Sequence, residues 1–306
     1  MKKLIVGDKY SKINRIHEKV MDNNHVSAAF NYRFYDTVYN TDHPFGYGDG
    51  RNDPGWHKRI CELTNKTRSW LIAVGLAEKL SSSVLEVGCG LAYLKDIHPG
   101  WHGIEYSRSA VEGVKAKYGK DVKIYEADVQ RLPFPNQSFD GIYSWATLEH
   151  VPDPHKAFIE IDRVLKEGGY ALIAPAWNCR SWTVRKLPQL PYASLTFWEK
   201  VQKYSVGLRE NICFRAILCL PGRIYDELRL LTRKQVSLRF KTLYPRWDII
   251  EKMGHVTDDD AVAAIDPHSA ITFFKSRNYE ILSHPTWFSR MMARHEPVIV
   301  RKGLSL

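Results

Sequence analysis

The apolar residues of this chain fall into short, spaced runs rather than one continuous stretch. Ser83–Val87 is largely β-branched and apolar, the pattern of a strand buried on both faces. Shorter runs follow at Trp101–Glu105, Val122–Ala127, Gly141–Trp145 and Tyr170–Ala174, and later at Tyr279–Leu282 and Pro297–Arg301. Helix signals separate them. Ser109 and Glu112 are spaced as a capping box. Asp153-Pro154 reads as an N-cap followed by proline at the first helical position, and the run Arg163–Gly169 ends that helix. Asp266-Pro267 repeats the start signal ahead of a helix over Ile271–Ser276. Trp56–Leu80 and Phe214–Leu231 have helical periodicity of their own. Strands alternating with helices predict an α/β fold with a parallel sheet.

The first strand breaks into Gly88-Cys89-Gly90, where glycine permits a sharp turn and close approach of the backbone to a ligand. A dinucleotide fingerprint needs a third glycine at position 93, and Tyr93 stands there instead, which argues against NAD or FAD. Glu86, two residues before the first glycine, suits a cofactor with a cationic amino-acid end. Glu105 ends the second run about 20 residues on, a position from which a carboxylate can take both hydroxyls of a ribose. Asp128 follows the third run, placed to accept from an adenine amino group while the Val129 backbone meets the ring. A chance Gly-x-Gly at a strand end is the alternative, and the downstream spacing weighs against it.

Taken in order, Val84-Leu-Glu-Val-Gly-Cys-Gly90, Phe139-Asp-Gly-Ile-Tyr-Ser144, Leu148-Glu-His-Val151 and Arg163-Val-Leu-Lys-Glu-Gly-Gly169 resemble the core of class I S-adenosylmethionine-dependent methyltransferases. The subgroup most similar is that of the ubiquinone/menaquinone-type and small-molecule enzymes. The likeness covers about a third of the chain, residues 84–174, and Ala92 stands where the family usually has a further glycine. It implies a Rossmann-like, doubly wound seven-stranded sheet and S-adenosyl-L-methionine as cofactor. Under it, Glu86, Gly88, Cys89 and Gly90 would underlie the methionine part, Glu105 would hold the ribose, and Asp128 and Val129 the adenine. Tyr106 and Trp145 would flank adenine and sulfonium, with a plain core role as the alternative for each.

Composition adds limits. At 44% hydrophobic and 25% charged, the chain reads as globular, and no apolar run approaches the roughly 18 residues of a membrane-spanning helix. The start, Met1-Lys-Lys-Leu-Ile-Val-Gly-Asp8, has too short an apolar part for a signal peptide, and the five cysteines are scattered. A cytoplasmic protein, peripheral to a membrane at most, is the expectation. Charge is the second informative feature. Arg180–Arg246 holds 14 Lys/Arg against 4 Asp/Glu, an excess equal to the whole chain's net +10. The expected organisation is a helical N-terminal cap (1–80), a core (81–178 and 257–306) and an inserted basic lid after the fifth strand (179–256). The lid suits an anionic or lipid-linked acceptor, or a membrane surface; a solvated basic face is the alternative. Within the cap, Tyr35, Tyr47 and Arg51 are candidates for substrate contact, against core or turn roles.

Methyl transfer from a sulfonium needs alignment and exclusion of water, and no metal. Asp258-Asp-Asp260 is a candidate cation site, with a solvated acidic turn favoured. An oxygen or carbon acceptor calls for a general base, and His150, His255 and His268 are the candidates. An amine acceptor would need none. The expected acceptor is a hydroxyl, or an amine or carbon, on a small molecule, glycan or lipid-linked intermediate. The alternatives are an RNA methyltransferase using the basic insertion, although no RNA-binding module is visible, and a non-catalytic cofactor-binding partner protein.

Overall fold

In a computed structural model, residues 35, 36, 39, 54–180, 187–232, 235–245 and 260–304 are described. Helix α1 (Pro54–Ala73) leads into a seven-stranded sheet. Its parallel part comprises β1 (Val84–Val87), β2 (Trp101–Glu105), β3 (Ile124–Glu126), β4 (Phe139–Trp145) and β5 (Leu165–Ala174). The connections include α2 (Arg108–Tyr118) and α3 (Pro154–Val164). After β5 come α4 (Phe197–Tyr204), α5 (Val206–Glu210) and α6 (Ile212–Leu231). A separate two-stranded ribbon pairs β6 (Phe240–Thr242) with β7 (Ala263–Ile265). The chain ends with α7 (Pro267–Lys275), β8 (Tyr279–Ile281), α8 (Trp287–Met291) and β9 (Val298–Lys302).

The strand order is β3-β2-β1-β4-β5-β9-β8, with β9 antiparallel to both neighbours. This is the Rossmann-like arrangement. β1 is buried along its whole length, as a central strand covered on both faces must be. The order reverses between β1 and β4, so the carboxyl ends of these strands diverge and leave a crevice.

Local chemistry sets the helix boundaries. Asp153 accepts from the Lys156 N–H and Asp266 from the His268 N–H, each ahead of a proline at the first turn. α2 departs from expectation. Its cap is Ser107, which accepts from the Ala110 N–H. Ser109 gives both its N–H and its hydroxyl to Asp36 of the N-terminal segment, at 2.8 Å each, while Glu112 pairs with Arg108. A carboxylate from a distant segment thus replaces the local capping box. The run before Tyr170 also differs: α3 ends at Val164, β5 starts at Leu165, and the register against β4 shifts where Gly168 adopts φ +73°. The two glycines form a bulge inside the strand.

α7 is buried from Pro267 to Phe274. A helix covered on all sides can be apolar around its circumference, which explains Ala-Ile-Thr-Phe-Phe in its middle. α6 packs against α7 through charge. Arg223, only 4% exposed, donates through Nε and Nη2 to Asp266 at 3.1 and 2.8 Å, and to the Met291 and Ala293 carbonyls. Beside it Arg239 pairs with the buried Asp226 at 2.9 Å, and His268 Nε2 lies 3.1 Å from Glu227. Arg223, one of the cations of the basic segment, stands on no solvated face; it clamps the insertion to the core.

Removing one partner of a buried ion pair leaves the other uncompensated, at about 3–5 kcal/mol. Arg223→Met should therefore lower the free energy of unfolding by about that amount in urea titration; a loss below about 1 kcal/mol would show that the clamp contributes little.

Candidate functional site

A crevice lies at the carboxyl ends of β1, β2 and β4, where ligands bind in open α/β sheets. Its floor is apolar, from Val87, Ile104 and Val129, and carboxylates stand at separate points along it, Glu105 and Asp128. Glu105 is held by the chain around it. It accepts from the backbone N–H of Gly90 and Tyr106 at 2.8 Å and of Ser107 at 3.1 Å. Burial pushes its carboxyl up, and the three N–H donors oppose that shift. Asp128 accepts from the Gln130 N–H at 2.8 Å and from the Gln130 side-chain amide at 3.0 and 3.1 Å.

The glycine loop serves this geometry. Gly88 and Gly90 adopt φ of +73° and +52°, values that favour glycine. A Cβ on Gly88 would lie 2.2 Å from the Thr147 side chain, so only glycine lets Thr147 cover the loop. Ala146, beside Thr147 on the cleft wall, takes φ +45°, a strained value of the kind found at binding sites.

Of the residues expected at the site, Gly88, Glu105, Tyr106, Asp128, Val129 and His150 line the cleft. Gly90 contributes its N–H to Glu105 from behind. Three others lie elsewhere. Glu86 accepts from Trp101 Nε1 at 2.9 Å and from the Tyr143 hydroxyl at 3.1 Å, beneath the loop. Burial, opposed by those two hydrogen bonds, pushes its pKa up to about 8. Cys89 is buried against Gly103, and burial raises its thiol well above the usual range. Trp145 donates to Thr67 on α1 at 3.0 Å.

His150 sits on a short 3-10 turn, Leu148–His150, at the end of β4. Its Nδ1 is the buried nitrogen and lies 3.4 Å from Asp260 Oδ2, while Nε2 lies 3.6 Å from Glu149 Oε1. Asp260 and Glu149 are both fully buried. The Tyr35 hydroxyl donates to Asp260 at 2.7 Å, and the Tyr35 ring meets the His150 ring edge-on at 5.7 Å. Asp260 is thus no solvated turn. Of the other two histidines, His268 is enclosed in the α6–α7 clamp away from this group, and His255 lies outside the described residues, as do Tyr47, Arg51, Asp258 and Asp259. Sequence reasoning passed over Tyr39, Thr147 and Gln130, which line the cleft, and Asp36. No group of three or more His, Cys, Asp or Glu side chains able to hold a metal occurs among the described residues.

A family model for a methyltransferase domain matches residues 85–173. An O-methyltransferase of Penicillium expansum is 34% identical over 113 residues, 34% of this chain and 41% of that protein. A second O-methyltransferase, from Aspergillus sclerotiorum, is 31% identical over 133 residues, 39% of this chain and 50% of that protein. The cycloartenol-C-24-methyltransferase of Arabidopsis thaliana is 26% identical over 147 residues, 44% of each. The chain therefore spans half or less of the length of these curated relatives. Residues 85–173 form a methyltransferase domain of the class I, S-adenosylmethionine-dependent type.

The Glu86 carboxyl has a testable consequence. Raised from 4.5 to about 8, it keeps its proton in the folded state over a range where the unfolded chain releases it. Its contribution is complete below pH 4.5 and falls as pH rises toward 8, by about 1.4 kcal/mol per pH unit at most. Wild-type stability relative to Glu86→Gln should decline across that window in unfolding titrations; parallel pH profiles would mean that Glu86 is ionised when buried.

Proposed function

We propose that this chain transfers a methyl group from S-adenosylmethionine to a hydroxyl on a small-molecule, glycan or lipid-linked acceptor, with His150 as general base. The observation that carries the reading is the placement of His150 on the wall of the cleft that holds Glu105 and Asp128, backed by the buried Asp260. The O-methyltransferase relatives support a hydroxyl acceptor.

The cleft suits a nucleoside-bearing cofactor. Carboxylates at separate points meet ribose hydroxyls and an adenine amine, and the apolar floor between them accepts a flat ring. Glu105 would take the ribose hydroxyls, its orientation fixed by three backbone donors. Asp128, steadied by Gln130, would hold the adenine together with Val129. Gly88 allows the loop to lie against the ligand under Thr147. When bound, S-adenosylmethionine supplies an already activated methyl group, so the protein's work is alignment and proton removal.

His150 performs the second task. Asp260 draws the ring proton to Nδ1, which leaves Nε2 as the accepting nitrogen. Nε2 would take the proton of the acceptor hydroxyl, freeing its oxygen to receive the methyl group that the cofactor would supply. The imidazolium so formed lies between the Asp260 and Glu149 carboxylates. Tyr35 holds Asp260 by its hydroxyl and covers the histidine edge, which limits access of water.

Glu105→Ala should weaken S-adenosylmethionine and S-adenosylhomocysteine binding by about 1–3 kcal/mol in calorimetric titration. Unchanged affinity would refute its assignment to the ribose. His150→Gln should lower turnover of hydroxylated acceptors by about 10²–10⁴-fold while leaving cofactor affinity intact. Asp260→Asn should give a smaller loss and a shifted pH profile. Turnover of His150→Gln within about threefold of wild type would remove the histidine from the chemistry.

A further inference from the structure

The insertion carries a helix that is inside out. On α6, Ile217, Leu218, Ile224, Tyr225, Leu228 and Leu231 face solvent, Leu231 at 79% exposure. Arg223 and Asp226 of the same helix point inward, at 4% and 0%. At 100° per residue the exposed set spans one side of the helix and the two buried charges the opposite side. The inward charges are satisfied by the clamp on Asp266 and Arg239, so the polar side of α6 is the side that folds. Its apolar side is left facing outward. α4 continues the pattern with Phe197, Trp198, Val201 and Tyr204 exposed, Trp198 at 71%.

The charge around this face is one-sided. Three of the four acidic residues in Arg180–Arg246 are engaged: Glu199 in the α4 capping box, Asp226 with Arg239 and Glu227 with His268, which leaves Glu210 against fourteen Lys and Arg. Lys200 lies on α4 between Trp198 and Val201 in the chain, and Arg229 stands over the Tyr225 ring at 5.8 Å. Two copies of this chain meeting face to face would bring together segments that each carry an excess of ten positive charges, and like charges oppose that contact. Leucine and isoleucine with tryptophan, tyrosine and scattered cations are instead the composition of a surface that lies in the interface of a bilayer.

We infer that the exposed apolar sides of α6 and α4 dock on the surface of an anionic lipid bilayer. Apolar side chains enter the headgroup boundary, and the cations meet lipid phosphates and carboxylates. The inference does not rest on methyl transfer, since the surface is independent of the cleft residues.

Vesicle flotation of the full chain tests it. The chain should float with vesicles of phosphatidylcholine and phosphatidylglycerol at physiological salt, and about tenfold less with phosphatidylcholine alone. Leu228→Ser/Leu231→Ser should weaken binding to the mixed vesicles by about tenfold. Ile72→Ser, an equally exposed residue on α1, should leave binding unchanged. Absence of flotation with both vesicle types overturns the inference. So does equal binding of the Leu228→Ser/Leu231→Ser variant, or a dimer in light scattering that this variant dissociates.

Discussion

The Glu105 carboxylate is the point on which the cleft depends. It gathers N–H groups from three places: Gly90 in the loop after β1, Tyr106 just past β2, and Ser107 at the start of α2. Desolvating a carboxylate is costly, and three aligned backbone donors offset much of that cost. The consequence is geometric. The glycine turn, the end of β2 and the beginning of α2 cannot move independently while the carboxylate stays in place. Asp36 extends the same logic by tying the N-terminal segment to Ser109, so the helix start is held by two carboxylates from opposite directions.

Charge also decides how the insertion sits. Helices normally turn their apolar stripe to the core and their charges to water. α6 reverses this because Asp266 and the Met291 and Ala293 carbonyls form a buried socket that only a guanidinium fills well. Asp266 serves at once as the cap of α7 and as the anchor for Arg223. The start of a core helix and the attachment of the insertion are therefore one structural event, and the apolar side of α6 faces outward as a result.

Much of the sheet was legible in the chain because parallel strands buried on both faces leave an unmistakable run of apolar residues. Glu105 and Asp128 were legible for a related reason: a carboxylate directly after such a run must lie at a strand end, where ligands bind. Glu86 was not, because it lies inside a strand whose residues are all buried, and a fully buried strand has no alternation to tell one face from the other. Its partners, Trp101 and Tyr143, are 15 and 57 residues away. The direction of Arg223 was hidden likewise, since periodicity locates an apolar stripe but not which side of the helix meets the core.

The group around His150 shows where local reading ends. Tyr35 and Asp260 are 225 residues apart in the chain, and nothing near either position marks them as partners. Folding brings both to the end of β4 because Val262 donates its N–H to the Glu149 carbonyl at 2.9 Å, which fixes the returning strand beside the 3-10 turn. The strand that leaves the insertion thereby completes the wall on which the proposed base stands. The insertion meets the core at several points, among them Arg223–Asp266 and Glu227–His268 between α6 and α7 and the Arg239 N–H on the Ser269 hydroxyl, while Val262 on Glu149 ties two parts of the core together. The anchor of Arg223 and the carboxylate beside His150 thus stand at the two ends of one short segment, Asp260–Asp266.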